Sequence, residues 1–312
     1  MIQQILSCDW GTSSFRLRLI KVTDGSVLAE TVDGKGIANV HYEWQQSGMA
    51  ENERVGFYKN ILLSAIEKLT KYTLNDVPVI ISGMASSSIG IIEVPYAGIP
   101  FSFTDHKFNI QRIPSDHQCQ HEIVIVSGLK TNDDAMRGEE TMLFGCDIDD
   151  HEQLVIFPGT HSKHVTVKNT ILTEVKTFMT GEIFDLLANK SILSKSVTKN
   201  ENLQQYASIF EKGVKEGAAG NLLNTVFHVR IHQLFESLTA EENYHYLSGL
   251  LIGCELKQVA GTQLKILLVC SQSLYERYWQ ALQIVSINGN LEYRDADRAL
   301  IDGHCRLAKL FL

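Results

Sequence analysis

The 312-residue chain is 44% hydrophobic and 21% charged, with a formal net charge of -8. That is apolar material for one large domain or two ordinary ones, and the acidic balance argues against nucleic acid or an anionic membrane as the main partner. The start, Met1 to Leu6, lacks a basic and then apolar leader, no apolar run is long enough to span a bilayer, and the six cysteines form no CxxC pair, so a reduced, cytoplasmic protein is expected.

Ile5 to Cys8 reads as a short buried strand ending in the turn Asp9-Trp10-Gly11-Thr12-Ser13-Ser14. Phe15, Leu17 and Leu19 alternate with Arg16 and Arg18, which is strand periodicity, and Asp24-Gly25 signals a hairpin into a third strand, 27–32. Phe57, Ile61, Leu62, Ala65, Ile66 and Leu69 recur at helical spacing. Two apolar strands follow, 77–81 and 123–126, and each runs into Ser-Gly, as strands do on the ligand side of an α/β sheet. His117-x-Cys119-x-His121 has metal-ligating residue types, but the stretch is short and polar and reads as a surface loop. Helices are expected around Ile183 to Leu187, onward to Phe235, and over Tyr246 to Gly253, where small residues four apart suit close packing. His228 and His232 read as surface residues of a helix. A strand at 264–269 and a helix marked by Leu274, Tyr278 and Leu282 precede a final helix, 297–312, expected to be interrupted or bent near Gly303.

The chain repeats itself. Leu154-Val155-Ile156-Phe157 enters Pro158-Gly159-Thr160-His161-Ser162, and Gly11-Thr12-Ser13-Ser14 aligns on Gly159-Thr160-His161-Ser162. Leu17 and Leu19 then fall on Val165 and Val167 without a gap. Strand, Gly-Thr-x-Ser turn, strand, hairpin and strand thus occur once in each half, which points to two copies of one domain, 1–150 and 151–312. Two such turns can hold a polyphosphate, since glycine lets backbone N–H groups approach closely and each hydroxyl adds a donor. Asp9 precedes the first turn, where a carboxylate can orient hydrated Mg2+; Phe157 matches it in the second and cannot, so one metal site is expected.

Asp9-Trp10-Gly11-Thr12-Ser13 and Pro158-Gly159-Thr160 resemble the first and second phosphate motifs of the actin, hexokinase and Hsp70 superfamily. Asp9 to Thr12, Asp134 to Thr141, Pro158 to Lys163, Met179 to Glu182 and Tyr246 to Gly253 together resemble the 2-dehydro-3-deoxygalactonokinase family along nearly the whole chain. The resemblance implies two RNase-H-like, actin-like α/β domains with an interdomain ATP cleft, and transfer of phosphate from ATP, with Mg2+, to a small sugar acid, giving 2-dehydro-3-deoxygalactonate 6-phosphate. On this reading Asp9, Gly11, Thr12, Ser13, Gly159, Thr160, His161, Ser162, Gly249, Cys270 and Ser271 bind the nucleotide, with Asp9 on the metal.

Asp134 lies between the two turns in sequence, the place of the general base in hexokinase-like enzymes; Asp133 is its neighbour, and the family block favours Asp134. Asp before Ala-Met-Arg is also a helix-start signal, which puts Arg137, Glu139 and Glu140 on the first turns of that helix. Arg137 suits a substrate carboxylate, a phosphate or a structural ion pair. Lys163 is placed to contact the transferring phosphoryl group, and His161 to donate to ligand or cap the turn. Gly83, Met84, Ser88 and Tyr96, with Arg137, Glu139, Thr180 and Glu182, form the expected substrate side; Thr180 to Glu182 serve equally as a helix start. The family pattern Gly-Met-x-x-Ser-Arg has Ser86-Ser87-Ser88 here, and Cys270-Ser271 stands where the superfamily favours glycine. An actin-fold kinase for another sugar, and a nucleotide or sugar sensor without catalysis, are the competing readings. With only eight residues before Asp9, a repressor carrying a DNA-binding helix-turn-helix there is not expected.

Overall fold

The computed structural model describes residues 2–312 except 70, 73, 106 and 286–288. The chain forms two units. The first holds the residues up to Asp150 together with Lys168–Val175 and Ala296–Leu312; the second holds His151–Val167 and Lys176–Asp295.

In the first unit β1 (Gln4–Trp10), β2 (Phe15–Lys21) and β3 (Val27–Asp33) make an antiparallel meander. Its second turn has Gly25 at φ +66°, where a side chain would be strained. Helices α1 (Ile37–Ser47) and α2 (Arg54–Glu67) lead to β4 (Val79–Gly83), parallel to β1. Then come β5 (Ala97–Gly98), β6 (Phe101–Ser102), β7 (Ile110–Ile113) and β8 (Ile123–Val126), completing a sheet of order β3-β2-β1-β4-β8-β7. Strands β9 (Leu129–Lys130) and β10 (Ala135–Met136) form a small sheet with β5, and α3 (Glu139–Gly145) follows.

The period-two pattern of β2 decides the two faces of the main sheet. Phe15, Leu17 and Leu19 join Leu6, Cys8 and Trp10 in a core closed by Ile37, Val40, Tyr58 and Leu62 of α1 and α2. Arg16 and Arg18 take the other face, which the C-terminal helix (Ala296–Phe311) covers. Buried His304 of that helix sits 2.7 Å from Ser7 Oγ and 3.1 Å from Ser82 Oγ, and burial pushes its imidazole down to about 3. This helix runs without interruption through Gly303. A Cβ at Gly303 would overlap the Thr141 carbonyl, so the glycine serves close approach to α3. The expected division at 150/151 put 297–312 in the second half; the buried stripe Ala299, Gly303, Leu307 instead finds its partners in the first unit.

The second unit repeats the plan. Strands β11 (Gln153–Phe157) and β12 (Ser162–Lys168) pair antiparallel, and β13 (Ile171–Phe178) follows a turn with Asn169 and Thr170 at positive φ. Within the first unit, Ile171 and Leu172 of β13 pair with Ser102 and Phe101 of β6. Helices α4 (Thr180–Lys190), α5 (Ala207–Ala219), α6 (Leu222–Thr225), α7 (His228–Leu234) and α8 (Ala240–Leu256) precede β14 (Lys265–Cys270), parallel to β11. Helix α9 (Gln272–Ile284) and β15 (Leu291–Asp295), parallel to β14, complete it. Helices α5 and α8 meet through glycines: a Cβ on Gly213, Gly217, Gly249 or Gly253 would overlap a backbone carbonyl of the facing helix.

The two turns close on different ladder pairs. Trp10 pairs with Phe15 across residues 11–14, whereas Phe157 pairs with Lys163 across 158–162. Pro158 has no N–H for the ladder, so β11 ends one residue sooner. Leu154 and Ile156 face the core of the second unit as Leu6 and Cys8 face that of the first, so Asp9 corresponds to Phe157 and the second copy lacks the carboxylate. The segment 117–121 is also less exposed than expected: Cys119 and His121 are buried, and His121 Nδ1 lies 2.8 Å from the Val77 carbonyl. His232 is half-buried, against the edge of Tyr246. Among the described residues no His, Cys, Asp and Glu group could by itself hold a metal, and no helix is long and apolar enough to cross a membrane.

Candidate active site

The first turn is fixed from both sides. Gly11 N–H donates to the Ser14 carbonyl at 2.9 Å, and the Gly11 and Thr12 carbonyls accept the N–H groups of Ile37 and Ala38 at the start of α1. Gly36 passes so close to Thr12 and Ser13 that a Cβ would overlap their backbone. Thr12 and Ser13 side chains are exposed at the tip. Asp9, at the end of β1, pairs across the strands with Arg16. Desolvation lifts its carboxyl to about 6, Arg18 and Arg16 oppose the rise, and Asp297 and Glu139 add to it. Arg18, 3% exposed, binds Glu30 at 2.6 Å and Asp297 at 2.8 Å, and Arg16 also pairs with Asp297.

Two glycines bring the loop after β4 close to Asp9. Gly83, at φ +87°, would place a Cβ 2.9 Å from the Trp10 carbonyl and 3.6 Å from Asp9 Oδ1; Gly138, at φ +105°, would place one 3.5 Å from Gly83 Cα. Arg137 stacks on Tyr96, with the guanidinium carbon 4.1 Å from the ring centre, donates to Tyr96 Oη at 3.2 Å and bonds Ser86 Oγ. Glu139 accepts the Arg137 N–H at 2.9 Å. Met84 packs against the core of the unit, and the Ser88 and Gly90 carbonyls accept from Arg54. Glu140 is fully buried, accepts the Gly138 N–H at 2.7 Å and is pushed up to about 8 by burial and then by Glu139.

Asp134 does not start a helix. It closes the turn between β9 and β10, its N–H 2.9 Å from Thr131 Oγ1 and its Oδ1 accepting the Ala135 N–H at 2.8 Å. The helix begins at Glu139 after Gly138, so Arg137 lies ahead of it, on the strand side, and only Glu139 and Glu140 occupy its first turn.

The second turn is built differently. Gly159 N–H donates to buried Ser162 Oγ at 3.3 Å, and the Thr160 carbonyl accepts the Glu182 N–H at 3.0 Å. His161 Nε2 pairs with Glu182, and buried Lys163 donates to the His161 carbonyl at 3.1 Å. Gly181 abuts Gly159 and Thr160 too closely for a side chain. Beside this turn lies a cavity of about 250 Å³ whose wall includes Gly159, Thr180, Gly181, Glu201, Ser248, Arg277 and Tyr278.

Cys270 closes β14 and is buried, its thiol pushed up to about 12; Ser271 precedes α9, which lends Ser273, Leu274, Arg277 and Tyr278 to the cavity. Gly249 faces α5, while its neighbour Ser248 reaches the cavity.

The family model described as 2-keto-3-deoxy-galactonokinase matches residues 9–307. The chain belongs to that family. It is 33% identical over 306 residues to a Rhizobium meliloti protein named as a 2-dehydro-3-deoxygalactonokinase, covering 95% of this chain and 93% of that one. It is 30% identical over 247 residues to the 2-dehydro-3-deoxygalactonokinase of Escherichia coli, covering 75% and 82%. A Sinorhizobium meliloti crystal structure assigned to the same kinases superposes with a TM-score of 0.83 at 30% identity, covering 98% and 96%. A dehydratase activator from Clostridium difficile, solved with ADPNP, superposes at 0.51 with 13% identity, a likeness of fold: two α/β units of the actin-like ATPase type. Family and fold together imply nucleotide use by this galactonokinase-family chain.

Within the first unit the fold gathers Asp9, Gly83 and the pair Gly138-Glu139 from three separate stretches of sequence. Within the second it gathers Gly159, Thr180 and Gly181 with Tyr278. Sequence reasoning missed Glu201, Ser248, Arg277, Tyr278 and the buried Glu255 behind them. An acidic residue inside the apolar run of α8 was the available signal, because a buried charge needs partners.

Proposed function

We propose that this chain transfers the γ-phosphoryl group of ATP, with Mg2+, to the 6-hydroxyl of 2-dehydro-3-deoxygalactonate. Membership of the galactonokinase family supplies the reaction. The observation that carries the site assignment is the convergence of Asp9, Gly83 and Gly138, which sets a partly buried carboxylate against the substrate-side loop.

The residues fit the groups they would hold. A single carboxylate at the first turn suits Mg2+, which keeps much of its water and takes its remaining oxygens from phosphates. Bound there, the ion would draw charge from the β- and γ-phosphates. The backbone at Gly11 to Ser13 and at Gly159 to Ser162 would hold the phosphates, and the cavity beside Gly159 would take the nucleoside. Arg137, braced on Tyr96, would bind the sugar-acid carboxylate through its planar fork, with Glu139 fixing the Arg137 backbone. Asp134 would accept the hydroxyl proton as the oxygen attacks phosphorus. Six free cysteines, five of them buried, together with an ATP requirement, suit the cytoplasm.

The test is ADP release by purified protein with Mg2+ and ATP, across 2-keto-3-deoxy sugar acids, aldonates and free hexoses. Turnover should be selective for 2-dehydro-3-deoxygalactonate. Turnover on free hexoses alone would assign the chain to a different sugar.

A further inference from the structure

We infer that Glu255 is a positioning residue for phosphoryl transfer, a buried hub that holds the second phosphate turn and the adjoining cavity wall in one arrangement. Glu255 lies on α8 and is 3% exposed. Tyr278 O–H donates to its Oε2 at 2.7 Å, Thr180 Oγ1 donates to the same oxygen, and His164 Nε2 lies 3.0 Å from Oε1. These three partners come from α9, the start of α4, and β12.

The donor order leads to the turn. Because the Tyr278 proton is committed to Glu255, the Ser162 hydroxyl, 3.1 Å from Tyr278 Oη, is the donor of that contact. Ser162 Oγ in turn accepts the Gly159 N–H. One chain of hydrogen bonds therefore runs from the glycine of the second turn through Ser162 and Tyr278 to Glu255. Gly159, Thr180 and Tyr278 also line the cavity, so both residues whose hydroxyls Glu255 holds contribute to its wall. Ser248 and Ile252 line it from α8 as well, and Glu255 continues that face of the helix, seven residues beyond Ser248.

A buried carboxylate is a poor way to gain stability, since desolvation offsets most of its attraction and apolar replacements often stabilise. What three converging donors do provide is a fixed relation among three elements. The inference rests on the reading that ATP is the phosphoryl donor.

The test measures kcat, KM for ATP, KM for the sugar acid and Tm in wild type, Glu255→Ala, Glu255→Gln and Tyr278→Phe. Glu255→Ala leaves buried hydroxyls without an acceptor, and KM for ATP should rise about tenfold or more with KM for the sugar acid unchanged. Tyr278→Phe keeps the ring and cuts the chain, and should raise KM for ATP in the same selective way. Glu255→Gln should largely restore it: the amide oxygen can serve the two hydroxyls, and the NH2 can face a His164 ring that carries its proton on Nδ1. A lowered Tm and kcat with KM for ATP unchanged in both Glu255→Ala and Tyr278→Phe would overturn the inference, as would a Gln variant no better than Ala. Absence of ADP release by wild type would remove the donor reading and this inference with it; normal wild-type turnover with unaffected variants would remove this inference alone.

Discussion

The two Gly-Thr-x-Ser turns each follow a first strand and differ in their surroundings. Residues 11–14 sit among ionisable groups, with Asp9, Arg16, Arg18 and Asp297 on one face of the first sheet. Residues 158–162 are tied by the His161–Glu182 pair and by hydroxyls and backbone groups that run back to Glu255. On the proposed reading, one copy would supply charge to answer a metal and a changing phosphate, and the other donors fixed in place before reaction, where preorganisation is most effective.

The sharpest way to break this division is to remove the chemistry assigned to the first unit. Asp134→Asn should lower kcat by ~10²–10⁴-fold, the usual contribution of a general base, with ATP affinity little changed. Near-normal turnover in a steady-state assay would move the base to Asp133 or out of this turn. Asp9→Ala should cost roughly 10²–10³-fold in kcat, comparable to losing one group that stabilises developing charge. Its dependence on Mg2+ concentration should flatten. Full activity of Asp9→Asn at ordinary Mg2+ would show that Asp9 only braces the turn.

The raised Asp9 carboxyl gives the comparison a pH signature. With a value of about 6, the ionised form needed for Mg2+ fails as pH drops through that value. The kcat/KM profile at low Mg2+ should show an acid limb near 6, and added Mg2+ should move it to lower pH. A limb insensitive to Mg2+ would belong to another group.

Gly249→Ala tests the second unit. Its Cβ would press on the Phe210 carbonyl where α8 meets α5, so stability should fall by about 1–3 kcal/mol in thermal or denaturant unfolding. KM for ATP should hold in the folded protein; a rise in that KM alone would return Gly249 to the nucleotide site. A pH-dependent effect is expected at Glu140. Its folded value of about 8 lies above the ordinary carboxylate value of 4.5, so the folded state holds the extra proton between those limits. Stability is then full below about 4.5 and declines as pH rises toward 8. Glu140→Gln should escape that decline, and its Tm relative to wild type should climb between pH 5 and pH 8.5.

Local order along the chain determined a good deal. The alternation Phe15-Arg16-Leu17-Arg18-Leu19 specifies which face of β2 meets the apolar core of α1 and α2, because strand periodicity leaves no other solution. The two Gly-Thr-x-Ser turns mark the repeat, and Gly249 and Gly253 announce a closely packed helix. Only the tertiary structure decided that the C-terminal helix covers the sheet carrying Asp9, since nothing local in Ala299, Gly303 and Leu307 names the surface that fills their stripe. It alone decided that Arg137 precedes its helix, because Gly138 at φ +105° turns the chain before α3 can begin. The hub at Glu255 was hidden for the same reason: a buried carboxylate is a promise of partners, and the partners at 164, 180 and 278 come from three separate elements that only folding brings within hydrogen-bonding reach.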